Sequence, residues 1–307
     1  MRYGRNILLA DMVLASSENT VEGCSVASST IKRRRLAATL RNLRDQADLT
    51  LDQVADRMGL AQSTMSRIET ARASARPAIV RGLLTLYGVH GDDAEAIVQI
   101  AKEATQRGWW YSYRDVIPDW FETYIGFESE ASLIQAYQAQ IVPGLLQTED
   151  YARAILGLPW QKLPPNEVER RVKARLSRQQ VLDAEHLTEY HLVLSEAVLR
   201  CQVGNPEIMR DQLLSLAAIV ERRQATIQVL PFVAGPLASS YGPFVVLDFP
   251  SAEDPPVGYV EHLTGGVLLE EAAEIQRYRM AFNHQCAAAL PVDESVLLIT
   301  EVARGQG

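Results

Sequence analysis

Between Thr50 and Ala71 the chain reads TLDQVADRMGLAQSTMSRIETA, and the polar residues in it suit the edges of nucleic-acid bases. Glutamine can form a bidentate pair with adenine N6 and N7, and arginine with guanine O6 and N7. Serine and threonine can serve either base or touch a thymine methyl. The base-contacting set expected on this chemistry is Gln62, Ser63, Thr64 and Arg67. Phosphate oxygens call for cations and unpaired backbone N–H groups. Arg41, Arg72 and Arg76 supply the first, and Thr50 and Gln53 sit where a helix N-terminus supplies the second. Glu69 falls near the inward side of its helix, where a lone carboxylate is costly. Arg44, at the border of an apolar stripe, is its expected partner in a structural ion pair.

Such side chains must be held by two short helices. Leu51, Val54, Ala55 and Met58 recur at i, i+3, i+4 and i+7, the signature of one buried helical face. Thr50 with Gln53 three residues on makes a capping box at its start. Gly59 allows a tight turn, and Leu60, Met65 and Ile68 begin a second face at once. With Met65 pointing inward, Ala61 and Ile68 lie within about 60° of it, while Ser63 and Arg67 point away. This is the pattern of a helix-turn-helix whose second helix enters a DNA major groove, Gln62 end first.

Around it, Leu36, Leu40, Leu43 and Ala47 form a stripe on a helix beginning near Ile31. Pro77 fits the first turn of another helix that ends at Gly88, and Asp92 or Asp93 could cap a fifth. The expected architecture is an all-α, five-helix domain over 31–107, preceded by a flexible polar arm over 1–30. Arg2 and Arg5 precede an apolar run, but Asp11 interrupts it, so a signal peptide is not expected. Residues 108–130 carry three Trp and five other aromatics, read as a hinge whose rings pack into the next core. From 131 to 307 strand-like and helical runs alternate, which predicts a larger α+β domain with one helix-covered sheet. The runs TEYHLVLSEAVLR, ATIQVLPF, GPFVVLDF and VGYVEHLTGGVLLE read as strands, with Gly265–Gly266 as a hairpin turn. Asn205–Pro206 reads as the start of a helix.

Net charge is −8 for the chain, but its distribution is uneven. Residues 31–90 hold 11 Lys/Arg against 5 Asp/Glu, whereas 109–307 hold 15 against 26. A basic segment on an acidic protein is a local footprint for phosphate. Cys24, Cys201 and Cys286 are far apart, which speaks against a disulfide framework or zinc site and suits the cytoplasm. No metal or cofactor motif is present, and no apolar run is long enough to span a membrane.

The segment from Lys32 to Val89 resembles the Cro/lambda-repressor-type, XRE-like helix-turn-helix regulators through Arg44, Thr50, Leu51, Gln53, Val54, Ala55, Gly59, Gln62, Ser63, Thr64, Ser66, Ile68 and Glu69. Beyond Gly108, GWWYSYRDVIPDWFETYIGFE, EASLIQAYQAQIVPGLLQTEDYARAIL, EAVLR and TIQVLPF are similar to a companion domain of unknown function found in many actinobacterial regulators. The resemblance implies a cytoplasmic, nucleoid-associated transcriptional regulator, often encoded beside a small protein partner. It departs at Ala71, where the family usually has glycine. A single such domain contacts few base pairs, so a homodimer on a pseudo-palindromic duplex is expected, with half-sites about 34–36 Å apart. The C-terminal domain would answer to a ligand or that partner. Two other classes compete: a protein-interaction module that uses this fold without DNA, and an enzyme fused to a DNA-binding module. For the enzyme, His262 beside Glu261 and Ser239–Ser240 near Gly235 are the best candidates. No nucleophile elbow, phosphate loop or metal spacing supports them, and no catalysis is expected.

Overall fold

The computed structural model describes residues 29–106, 108–158, 162–235 and 242–306. The N-terminal arm up to residue 28, with its leader and Cys24, lies outside the described residues, as do Ser239 and Ser240. The chain divides into two compact units, one up to Gly108 and one from Trp109 onward.

In the first unit five helices enclose one core: α1 (Ser29–Gln46), α2 (Leu51–Met58), α3 (Gln62–Glu69), α4 (Pro77–Leu86) and α5 (Gly91–Glu103). Leu36, Leu40 and Leu43 of α1 meet Val54, Met65, Ile68, Val80, Leu83, Ile97 and Val98, all buried. Local chemistry sets the helix ends. The Thr50 side chain accepts from Gln53 N–H at 3.3 Å while Gln53 Oε1 accepts from Thr50 N–H at 2.9 Å, so two first-turn donors are satisfied reciprocally. Pro77 opens α4. The expected cap at Asp92 or Asp93 is not used. His90 takes that position and both acids fall inside the first turn of α5, where they still favour the positive helix end.

The second unit is built on a six-stranded mixed sheet. Its elements are α6 (Asp119–Glu128), β1 (Leu133–Gln138), α7 (Glu149–Leu156), α8 (Pro165–Arg178), β2 (Glu189–Ser195), α9 (Glu196–Arg200), α10 (Pro206–Glu221), β3 (Thr226–Leu230), β4 (Phe244–Asp248), β5 (Val257–His262), β6 (Gly265–Leu269), α11 (Ala272–Ala288) and α12 (Val292–Arg304). Strand order is β3-β2-β1-β4-β5-β6; β1, β2 and β3 pair in parallel, and β4, β5 and β6 extend the sheet antiparallel from β1. The parallel strands need helical crossovers, which α7 to α10 provide. Ile275 and Phe282 of α11 pack with Tyr137, Val193, Leu230, Phe244 and Val246 on one face.

The aromatics after Gly108 form a short 3₁₀ turn (Trp109–Tyr113) and then α6, and Trp110, Ile117 and Ile125 pack with Ala174 of α8 inside the second unit.

Two strand readings are corrected. The run TEYHLVLSEAVLR is a strand only to Ser195, whose hydroxyl accepts from Ala197 N–H at 3.3 Å and starts α9. The hairpin loop is Leu263–Thr264 rather than Gly265–Gly266, because His262 pairs with Gly265 and Glu261 with Gly266. Those glycines are strand residues: a Cβ at Gly266 would lie 2.5 Å from the Tyr259 ring. Among the described residues no helix is long and apolar enough to cross a membrane.

Candidate nucleic-acid interface

The turn between α2 and α3 is made by Gly59, left-handed at φ 64° and ψ 33°, and by the Leu60 N–H bonded to the Ala55 carbonyl at 2.9 Å. It lets α3 pack Met65 and Ile68 into the core, where both are buried. The opposite face then carries Gln62, Ser63 and Arg67, all exposed, with Thr64 half-buried beside them. The four expected base readers therefore stand together on one helix of two turns.

One sequence expectation fails here. Ala61 does not point inward: it is exposed and precedes the helix as its N-cap, with no side-chain hydrogen bond to the first turn. The leading N–H groups of α3 thus have no side-chain acceptor at their cap, which leaves the positive helix end open to an anion.

The expected phosphate set is exposed throughout: Arg41 on α1, Thr50 and Gln53 at the start of α2, and Arg72 and Arg76 on the segment between α3 and α4. The capping box uses Gln53 Oε1 and a lone pair of Thr50 Oγ1, so the Gln53 amide N–H groups and the Thr50 hydroxyl proton can still donate outward.

Behind this surface Arg44 Nε donates to Glu69 Oε1 at 2.9 Å and Nη2 to Oε2 at 3.0 Å, a two-pronged bond linking α1 to α3. Arg44 Nη1 also donates to the Leu49 carbonyl at 2.8 Å, anchoring the α1–α2 corner. The hydrogen bond to Glu69 raises the Arg44 pKa against the opposing effect of burial. The Tyr87 hydroxyl lies near this pair, and burial pushes its pKa far up.

Ala71, where glycine was expected from the resemblance, is left-handed at φ 55°. Its N–H still reaches the Ile68 carbonyl at 3.1 Å, and Ala73 N–H the Arg67 carbonyl at 3.0 Å, so the loop closes the helix despite the Cβ.

Several basic residues of the unit are paired and several are not. Lys32 pairs with Glu103, Arg44 with Glu69 and Arg81 with Glu95. Arg41, Arg57, Arg67, Arg72 and Arg76 are exposed and meet no carboxylate among the described residues. Arg57, in the last turn of α2, was not singled out from sequence. A basic residue just ahead of the turn glycine was the available signal.

Elsewhere, of the enzyme candidates, Ser239 and Ser240 lie outside the described residues. His262 is exposed at the β5–β6 hairpin, where its Nδ1 lies 3.3 Å from the Thr264 hydroxyl. Among the described residues no cluster of three or more His, Cys, Asp or Glu side chains could hold a metal.

Neither the curated proteins nor the solved structures gave a match to the chain. Residues 35–97 match the model of a helix-turn-helix domain, which points to a DNA-binding regulator. Residues 121–301, more than half of the chain, match the family described as a domain of unknown function (DUF5753), and the chain belongs to that family.

Proposed function

We propose that this protein is a sequence-specific transcriptional regulator of the XRE-like type, of the actinobacterial kind, acting without catalysis in the cytoplasm on the nucleoid. It reads a pseudo-palindromic operator as a homodimer. In each half-site α3 lies in the major groove, with Gln62, Ser63, Thr64 and Arg67 on base edges. Arg41, Thr50, Gln53, Arg72 and Arg76 hold the flanking phosphates. The DUF5753 unit modulates this through a small ligand or a small protein partner. The observation that carries the reading is the exposed polar face of α3, set against the buried Met65, Ile68 and Glu69 on its other side.

The test is selection of fragments bound by the full chain from random-sequence duplex DNA. The expected product is an inverted repeat with half-site centres one helical turn apart, about 10–10.5 base pairs. Recovery of unenriched sequence at low ionic strength would overturn the reading.

A further inference from the structure

The two edges of the sheet differ in what satisfies their backbone. β3 forms one edge and is closed there. Its Val229 N–H donates to the Ser295 hydroxyl at 2.9 Å, and the Val229 carbonyl accepts from Leu290 N–H at 2.9 Å. The chain entering α12 thus takes the place of a further strand.

β6 forms the other edge, and nothing comparable closes it. In an antiparallel pair the exchanged bonds fall on alternate residue pairs. The β5–β6 hairpin closes on the His262–Gly265 pair, so Val260 with Val267 and Gly258 with Leu269 also exchange bonds. Gly266 and Leu268 are the intervening residues, and their N–H and C=O groups turn away from β5. Among the described residues these outward groups meet no partner.

Edges of this kind are normally blunted by charge, proline or a bulge. From Leu263 to Leu269 the run LTGGVLL carries no charged residue and no proline. Its register with β5 is unbroken from His262–Gly265 to Gly258–Leu269, so there is no bulge either. Two of its apolar side chains are uncovered, Leu263 at 88% exposure and Val267 at 47%.

The strand is self-complementary about Val267. Antiparallel pairing of two copies with Val267 opposite Val267 sets Gly266 opposite Leu268 in both directions, so each outward N–H meets an outward carbonyl. A register centred on Gly266 or on Leu268 would instead set one of the two against a residue outside the strand. The charges agree with the same register. Glu270 falls opposite Thr264 and Glu271 opposite Leu263, so no carboxylate stands directly across from another, and His262 comes beside Glu271 of the second copy. Leu263 comes against the start of α11 in that copy and loses its exposure.

We propose that the β6 edge is the docking surface for a second copy of this chain, joining the two sheets antiparallel about a two-fold axis at Val267. The contact is isologous and closed, the symmetry that a pseudo-palindromic duplex demands. As the dimer contact of the regulator it rests on the function proposed above. As an interface it is measured without DNA, so either can fail without the other.

Sedimentation of the full chain over a concentration series is expected to show a monomer–dimer equilibrium. Val267→Lys sets two like charges across the axis and should weaken dimerisation at least about tenfold, as should Val267→Glu. An equimolar mixture of the two variants should dimerise again, which misfolded chains could not do. At such a self-facing pair the Cα atoms lie about 4.5 Å apart, within the range a disulfide spans. Val267→Cys should therefore give a covalent dimer on oxidation, with the linkage mapped by peptide mass spectrometry to position 267 in both copies. A chain that stays monomeric at every concentration leaves the edge to a strand of some other protein and overturns the proposal. So does a dimer indifferent to Val267→Lys, a mixture that stays monomeric, or a covalent dimer linked only through other cysteines.

Discussion

Arg67 and Arg41 are both exposed arginines without a carboxylate partner among the described residues, yet they stand on different helices and should fail differently. Arg67→Ala is expected to cost about 1–3 kcal/mol and to relax one base position, whereas Arg41→Ala should weaken every sequence about equally. Titrations against a set of single-base operator variants separate the two, and matching losses across the whole set would remove Arg67 from base reading. At Ala71 the backbone is left-handed with a Cβ in place. Ala71→Gly should therefore stabilise the full chain by about 1 kcal/mol, read as a higher urea midpoint at unchanged slope. Burial pushes the Cys286 thiol up to about 11, with the Glu189 charge adding to the rise, while Cys201 is exposed. At pH 8 the Cys286 thiol is protonated, so iodoacetamide should label Cys201 well before Cys286 by peptide mass spectrometry. Much of the candidate site was readable residue by residue, because helical angle alone separates Met65 and Ile68 from Ser63 and Arg67. Ala61 was misplaced because angular reasoning assumes a helix that has already begun, and the helix begins at Gln62.

At the scale of elements, α3 is held against α1 by apolar contact and by one ion pair. Glu69 is buried, and Arg44 nearly so, with side-chain exposures of 4% and 11%. Removing Arg44 strands the Glu69 carboxylate out of water, so Arg44→Met alone should destabilise the chain by about 3–5 kcal/mol, whereas Arg44 without Glu69 keeps Asp45 at 2.6 Å. Replacing both, Arg44→Met with Glu69→Leu, should recover much of that loss, because a well-packed apolar pair needs no counter-ion. A double-mutant cycle in chemical denaturation measures it, and purely additive losses would mean that the two side chains do not act as a pair. Element ends were legible where a side chain does the capping, as at Thr50 and Asn205, and where a proline opens the first turn, as at Pro77. They were illegible where tertiary contact decides. The apolar alternation of β2 runs on into EAVLR, and only the Ser195 turn breaks it. Gly265 and Gly266 carry a turn signature, yet the Tyr259 ring lying over Gly266 makes small residues necessary within β6. Strand order lies further still from local pattern, since β1 pairs with β2 and β4 across long stretches of chain.

For the whole molecule, charge is the property that ties sequence to function. The overall balance of −8 hides a helical unit rich in cations and a sheet-bearing unit rich in carboxylates. Within the first unit Arg41, Arg57, Arg67, Arg72 and Arg76 remain exposed without carboxylate partners among the described residues, and these are the charges available to displace counter-ions from DNA. If most of them meet phosphate, the logarithm of affinity should fall with the logarithm of salt at a slope of about −4 to −5 for each protomer on the duplex, and about twice that for a dimer. Fluorescence anisotropy on the selected operator, taken from about 50 to 200 mM salt, gives the slope directly. Arg57→Ala is the sharpest probe, because Arg57 was assigned neither to a base nor to a phosphate from sequence. If it meets a phosphate, its loss should flatten the slope by about 1 unit per protomer without altering base preference. A slope near zero in the full chain would mean that these cations face solvent in the complex, and the helix-turn-helix unit would then have to engage a protein surface instead.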